Sequence, residues 1–188
     1  RESFLSAPQA GRLAEVGYPD LPVYRRMVRI PPLGDLTMEL IAIESFYWGP
    51  CDVALFQPFS TRDGRPSPGN ALAPAGARFP QAAVEIETIS ILGGIRVAWL
   101  RFNPVRYDPN SHAIEVITRA EVRLVPREGI GENELHRSMP GVTGSFLPSL
   151  EGVLGYRPGV DVVEGAYVVI STADGLARAA DLIEWKSR

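Results

Sequence analysis

The chain has 188 residues, 45% of them hydrophobic and 22% charged, with a net charge of −3. That is enough for one sizeable domain or a domain plus part of another, and the balance lacks the basic excess that a nucleic-acid surface needs. No apolar run reaches the roughly 18 residues of a membrane-spanning helix, and a single cysteine, Cys51, excludes an internal disulfide.

Arg1 to Asp20 is a mixed lead-in in which Phe4, Leu5 and Leu13 offer apolar contacts. Leu21–Ile30 alternates imperfectly and predicts a strand, closed by the turn Pro31-Pro32-Leu33-Gly34-Asp35. Leu36 to Trp48 predicts a second, longer strand, broken by Gly49-Pro50, and Asp52–Gln57 a short third one. Ser60–Pro80 carries four prolines and three glycines and is expected to be a long loop, a length that compact domains keep for function or mobility. Val84–Leu92 and Ile95–Phe102 predict a hairpin around Gly93-Gly94. Asp108-Pro109-Asn110-Ser111 is a turn, and Ala113–Thr118 and Ala120–Val125 predict two more strands. These pieces, from Val84 on, are expected to form a meander on one layer of an antiparallel sandwich.

Pro126–Val163 has no clear period and is rich in glycine and proline, so it predicts a linker that wraps on a surface. Gly165–Ser171 then reads as a buried strand. Asp174–Arg188 reads as a helix, with Leu176, Ala179, Ala180 and Ile183 on one face and the capping pattern Ser171-Thr172-Ala173-Asp174 before it. A lone strand–helix unit cannot bury itself, so this end is expected to open an α/β domain that continues in a longer protein, with Leu176, Ala180, Ile183 and Trp185 packed against that domain.

Few residues here suggest chemistry. A nucleophilic Cys51 would need a base within hydrogen-bond reach, and His112 and His136 are predicted to lie in a turn and in the linker. Cys51 is therefore expected to be a packed strand-edge residue, and the three side chains lack metal-ligand spacing. Glu85, Glu87 and Glu115 are expected on solvated strand faces. Tyr24, Arg25, Arg26 and Arg29 fit a sheet face better than a nucleic-acid site, and Gly93-Gly94 and Gly129-x-Gly131 are turns rather than phosphate loops. No cofactor and no metal are expected.

Three stretches carry a family likeness. They are Gly17–Val23 followed by Ile30-Pro31-Pro32 and Gly34-Asp35, then Ile95–Pro109 with its Asn103-Pro104-Val105-Arg106-Tyr107 turn, and Ala166–Ser171 with Leu182–Lys186. In this order and spacing the chain resembles the N-terminal part of gingipain-type cysteine peptidases. The resemblance implies a mainly β architecture: an antiparallel β-sandwich propeptide domain over residues 1–126, a linker over 127–164, and the first strand and helix of a caspase-like α/β catalytic domain over 165–188. It implies an extracellular or cell-surface zymogen whose partner is its own catalytic domain, with catalytic His and Cys beyond this chain and no catalytic residue within it.

On that resemblance a loop basic residue of the prodomain blocks the specificity pocket or marks a processing site. The candidates are Arg127, Arg137, Arg62, Arg65 and Arg188, with Arg78 also in a loop; Arg127 and Arg137 rank first because they border the linker. The alternatives are a β-sandwich binding or adhesion module attached to a non-peptidase or inactive α/β domain, and a carbohydrate-binding sandwich presenting Trp48, Trp99 or Trp185.

Overall fold

The fold is described from a computed structural model, for residues 9–56, 78–137, 141–164 and 168–186. The chain forms two compact units, Arg1–Ser138 and Met139–Arg188.

Among the described residues of the first unit seven strands follow one another: β1 (Gly11–Leu13), β2 (Leu21–Arg29), β3 (Asp35–Trp48), β4 (Val84–Leu92), β5 (Ile95–Phe102), β6 (Val105–Asp108) and β7 (Ala113–Arg127). They make two antiparallel sheets, ordered β1-β2-β5-β4 and β3-β7-β6. The apolar core lies between them. One cluster joins Ile30, Ile89 and Ala98, from the first sheet, to Leu36 and Leu124 of the second. Another joins Leu21 of β2 to Val105, Tyr107 and Ile114 of β6 and β7, with Cys51, Val53 and Phe79 packed against it. Two sheets that share their buried faces in this way form a sandwich.

The local causes are visible in the sequence. β4 and β5 are joined by Gly93 and Gly94 at φ +55° and +83°, the positive values that a two-residue hairpin turn requires and that glycine adopts without a Cβ penalty. β5 is paired on both sides, and Val97 and Ala98, on opposite faces, are both fully buried. The two predicted strands at 113–125 are one, β7, which pairs β3 from Asp35↔Arg127 to Trp48↔Ile114. The pairing slips at Ile41 and again at Thr118, and such bulges let one long strand bend and continue where the alternation breaks.

Two expectations about this unit change. The expected single-layer meander is split: β4 and β5 belong to one sheet, β6 and β7 to the other. The crossing falls at Asn103, which is fully buried, donates through Nδ2 to the Ala82 carbonyl at 2.9 Å and through its backbone N–H to the Ala83 carbonyl at 2.8 Å, and is followed by Pro104. A proline that cannot donate to a ladder and an asparagine that ties down the corner end one sheet and begin the other. Within 52–56 there is no strand, only a bridge between Leu55 and Pro19. The expected Ser60–Pro80 loop falls mostly outside the described residues.

In the second unit, β8 (Val142–Thr143) runs parallel to β9 (Val162–Val163), and between them α1 (Leu147–Leu154) buries Leu150 and Leu154. The segment expected to be a wrap thus contains a helix: Pro148 stands in its first turn, where its missing N–H costs nothing, and Gly155 at φ +72° ends it. The terminal helix is two short pieces, α2 (Ala173–Arg178) and α3 (Ala180–Lys186), begun by the Thr172 side chain accepting from the Gly175 N–H at 3.2 Å. The expected buried strand is not found in its described part: Val168–Ser171 is exposed and lies in no strand, and no residue of α2 or α3 is buried.

The core predicts a large truncation cost. Replacing Ile114, 2% exposed between the sheets, by alanine is expected to lower stability by about 2–5 kcal/mol in urea unfolding.

Candidate functional site

The densest polar arrangement lies where the first unit ends. Arg96 is the second residue of β5, on the face that also carries Ala98, and is 2% exposed. Its guanidinium spends its donors on backbone carbonyls. Nε and Nη2 reach Glu132 O at 3.0 and 2.6 Å, and Nη1 reaches Pro31 O at 3.1 Å and Gly34 O at 2.8 Å. One side chain from the middle of a sheet therefore ties the β2–β3 turn to the segment that follows β7.

Glu134 completes the clamp from the other side. Its Oε1 accepts the Gly34 N–H at 2.8 Å and the Gly131 N–H at 3.0 Å. These donors, the Gly131 N–H first and then that of Gly34, hold its carboxyl below the ordinary glutamate range, with His136 and Arg96 adding positive charge nearby. Asn133, at φ +53°, donates to Ile89 O at 2.7 Å, and Leu135 N–H donates to Pro32 O at 2.8 Å. Gly131 must be glycine here, because a Cβ would run into the Gly34 carbonyl and the Arg96 guanidinium.

A second network crosses the β3-β7-β6 sheet. Glu115 is 5% exposed and its Oε2 takes Arg106 Nη2 at 2.6 Å and Arg78 Nη1 at 3.0 Å, while Ser45 Oγ donates to Oε1 at 3.0 Å. The expectation of a solvated Glu115 is thus wrong: Arg106 stands directly across from it on β6, and a buried carboxylate is tolerable when paired and hydrogen-bonded. Glu85 and Glu87 are held by Arg101, and Glu87 also by Arg25 in a two-point contact at 2.7 and 2.9 Å that lowers the Glu87 pKa. These are structural ladders across strands.

The arginines expected to matter separate clearly. Arg78 is taken up by Glu115 and lies 5.8 Å from the Tyr47 ring centre, so it is not a solvated loop residue. Arg127 is the last residue of β7, exposed, with its backbone opposite Asp35. Arg137 is exposed in a bend two residues beyond Leu135, the last residue tied back to the β2–β3 turn. Arg62, Arg65 and Arg188 lie outside the described residues. Cys51 is half-buried against the Leu21 cluster, and burial first, then Asp52, pushes its thiol pKa up. Its N–H donates to His112 O at 2.7 Å, and His112 Nδ1 meets Asp52 Oδ1 at 2.7 Å, so the structure brings together residues the sequence left apart. A thiol held protonated on a core cluster suits packing rather than nucleophilic attack. Among the described residues no group of three or more His, Cys, Asp or Glu could hold a metal ion.

The sandwich and its clamp define a β domain whose polar machinery is structural: it fixes the domain's own exit segment. Residues 3–134 match the family model Propeptide_C25, and the chain belongs to that gingipain-type propeptide family. Lys-gingipain W83 and Lys-gingipain HG66 of Porphyromonas gingivalis are each 26% identical over 133 residues, 64% of this chain. The chain spans only 8% of the length of these relatives. The fold is similar, at a TM-score of 0.65 and 15% identity, to a chain in the complex of Porphyromonas gingivalis RgpB pro- and mature domains, covering 80% of this chain and 78% of that one.

Sequence reasoning missed Arg96 and Glu134. The available hint was an arginine in a strand of otherwise apolar residues, Ile95-Arg96-Val97-Ala98, directly after a hairpin turn. Arg96→Met would leave the Pro31, Gly34 and Glu132 carbonyls without their shared donor and is expected to cost about 1–3 kcal/mol. Limited proteolysis between 128 and 137 should accelerate in that variant. Glu134, with its folded pKa lowered, contributes stability that is fully present above the ordinary glutamate pKa of about 4.3 and is lost as pH falls through the folded value. The stability gap between the wild type and Glu134→Gln should accordingly be largest near neutrality and shrink in urea titrations toward pH 3.

Proposed function

We propose that this chain supplies the prodomain of a secreted or surface-exposed gingipain-like cysteine endopeptidase, assisting the folding of the peptidase domain and holding it latent. The observation that carries the reading is the family match over residues 3–134, which coincides with the sandwich unit. The named relatives are Lys-gingipains, and the RgpB chain of similar fold comes from a complex of that protein's pro- and mature domains. The partner is then the peptidase domain of the same parent, and proteolysis belongs to that domain. The match to a propeptide family favours this over an adhesion module.

Within this reading residues 1–126 are the β domain, 127–164 the connection, and 165–188 the first strand and helix of the peptidase domain. The exposed Val168, Ile170, Leu176 and Trp185 are apolar surface of the kind that neighbouring strands and helices cover. No helix among the described residues is long and apolar enough to cross a membrane.

Arg137 is the favoured processing site. A peptidase needs several residues of extended, unpaired chain, and Arg127 is engaged in the β7 ladder while Arg137 lies past the last anchor and beside the boundary at Ser138. The role of specificity-pocket plug stays with Arg62 and Arg65, because Arg78 is committed to Glu115.

Two measurements test this. Adding the 188-residue chain to the parent's active peptidase should inhibit it at micromolar concentration or below; full activity under those conditions contradicts the latency role. Intact-mass analysis after exposure to an Arg-cleaving peptidase should show an early fragment ending at Arg137, lost in Arg137→Ala and retained in Arg127→Ala.

A further inference from the structure

The clamp holds a loop whose one large apolar side chain faces away from the domain. Ile130 is 93% exposed, between Gly129 and Gly131, while the residues after it are fixed through Gly131 N–H, Glu132 O, Asn133 Nδ2 and Leu135 N–H. Single exposed aliphatics are common on protein surfaces. Ile130 differs in that the backbone directly after it is held by a buried guanidinium and a half-buried carboxylate, without gaining burial from the isoleucine itself. Holding the backbone directly after an exposed apolar residue lowers the ordering cost that a binding anchor has to meet on association.

We propose that the loop from Glu128 to Glu134 is a contact element for the peptidase domain of the parent protein, with Ile130 entering an apolar pocket on that domain. This rests on the latency reading. Exposed Glu128 and Glu132 flank the isoleucine, so the matching pocket carries a basic or hydrogen-bond-donating rim. One anchor of this size is weak for a free partner. It suffices for a domain tethered in the same parent, where effective concentrations reach the millimolar range.

The test compares the wild-type chain with Ile130→Asp and Gly131→Ala, measuring inhibition of the parent's active peptidase, direct binding to it by calorimetry, thermal midpoint and sedimentation. Ile130→Asp should weaken inhibition and binding at least tenfold with an unchanged midpoint, since the side chain is exposed. Gly131→Ala, which displaces the loop but keeps Ile130, should weaken both as well. Equal binding by wild type and a folded Ile130→Asp overturns the proposal, as does a change confined to self-association. If the wild-type chain binds without inhibiting, the latency reading fails while the binding comparison still decides the role of Ile130; absence of any binding overturns both.

Discussion

The first unit depends on a buried positive charge that has been made tolerable. Arg96 sits in the central strand of a sheet, where an isolated guanidinium would be prohibitive. It is accommodated because three carbonyl groups, from Pro31, Gly34 and Glu132, converge on it, and because Glu134 lies close enough to feel its charge. A planar fork of donors can bind several carbonyls at once in a way that a lysine ammonium cannot. The arrangement joins segments about a hundred positions apart in the chain: Gly34 and Glu134 share a hydrogen bond directly. The sandwich core fixes β5, β5 fixes Arg96, and Arg96 fixes the way the chain leaves the domain.

The opposite sheet solves a different problem. β3 is fourteen residues long and pairs only with β7 among the described residues, which leaves one edge of its backbone open. Phe46 and Trp48 on it are 53% and 59% exposed, an arrangement that invites edge-to-edge association. Two features oppose it. The bulges at Ile41 and Thr118 bend the ribbon, and Glu44, Arg119 and Glu121 place charge along it through contacts of 3.4 and 3.5 Å. Those exposed ion pairs add little stability. Their effect is on what the edge can pair with.

Strand positions were legible in the sequence where the alternation is long; the short β6, although it buries Val105 and Tyr107, reads as a turn. Val84–Leu92, Gly93-Gly94 and Ile95–Phe102 emerged at their observed boundaries because alternation and paired glycines are local properties. What was illegible depends on partners distant in sequence. Glu115 looks like any outward polar residue of a strand until Arg106 and Arg78 are brought over it, and Asn103-Pro104 looks like an ordinary turn until the two sheets show that it is the corner between them. α1 was hidden because Gly152 and two flanking prolines obscure a period in a helix only eight residues long, whose buried residues are just Leu150 and Leu154. The arginines were legible as a set but not individually, since burial, pairing and strand membership are what separate Arg78, Arg127 and Arg137.

The position of the clamp bears on how latency would end. Each of the anchors described for the exit segment, from Gly131 to Leu135, lies before Arg137, so a cut after that residue would leave those hydrogen bonds in place. What the cut changes is connectivity: binding between prodomain and peptidase becomes bimolecular, and the effective concentration supplied by the chain is lost. On the proposed reading, release would follow from dilution below the dissociation constant rather than from unfolding. A prodomain built this way can be both a firm inhibitor while tethered and a dissociable one afterwards, provided its contacts are few and already ordered. That combination is what a clamped loop bearing a single apolar anchor offers, and it is a physical reason to bury an arginine where a hydrophobic residue would have packed more simply.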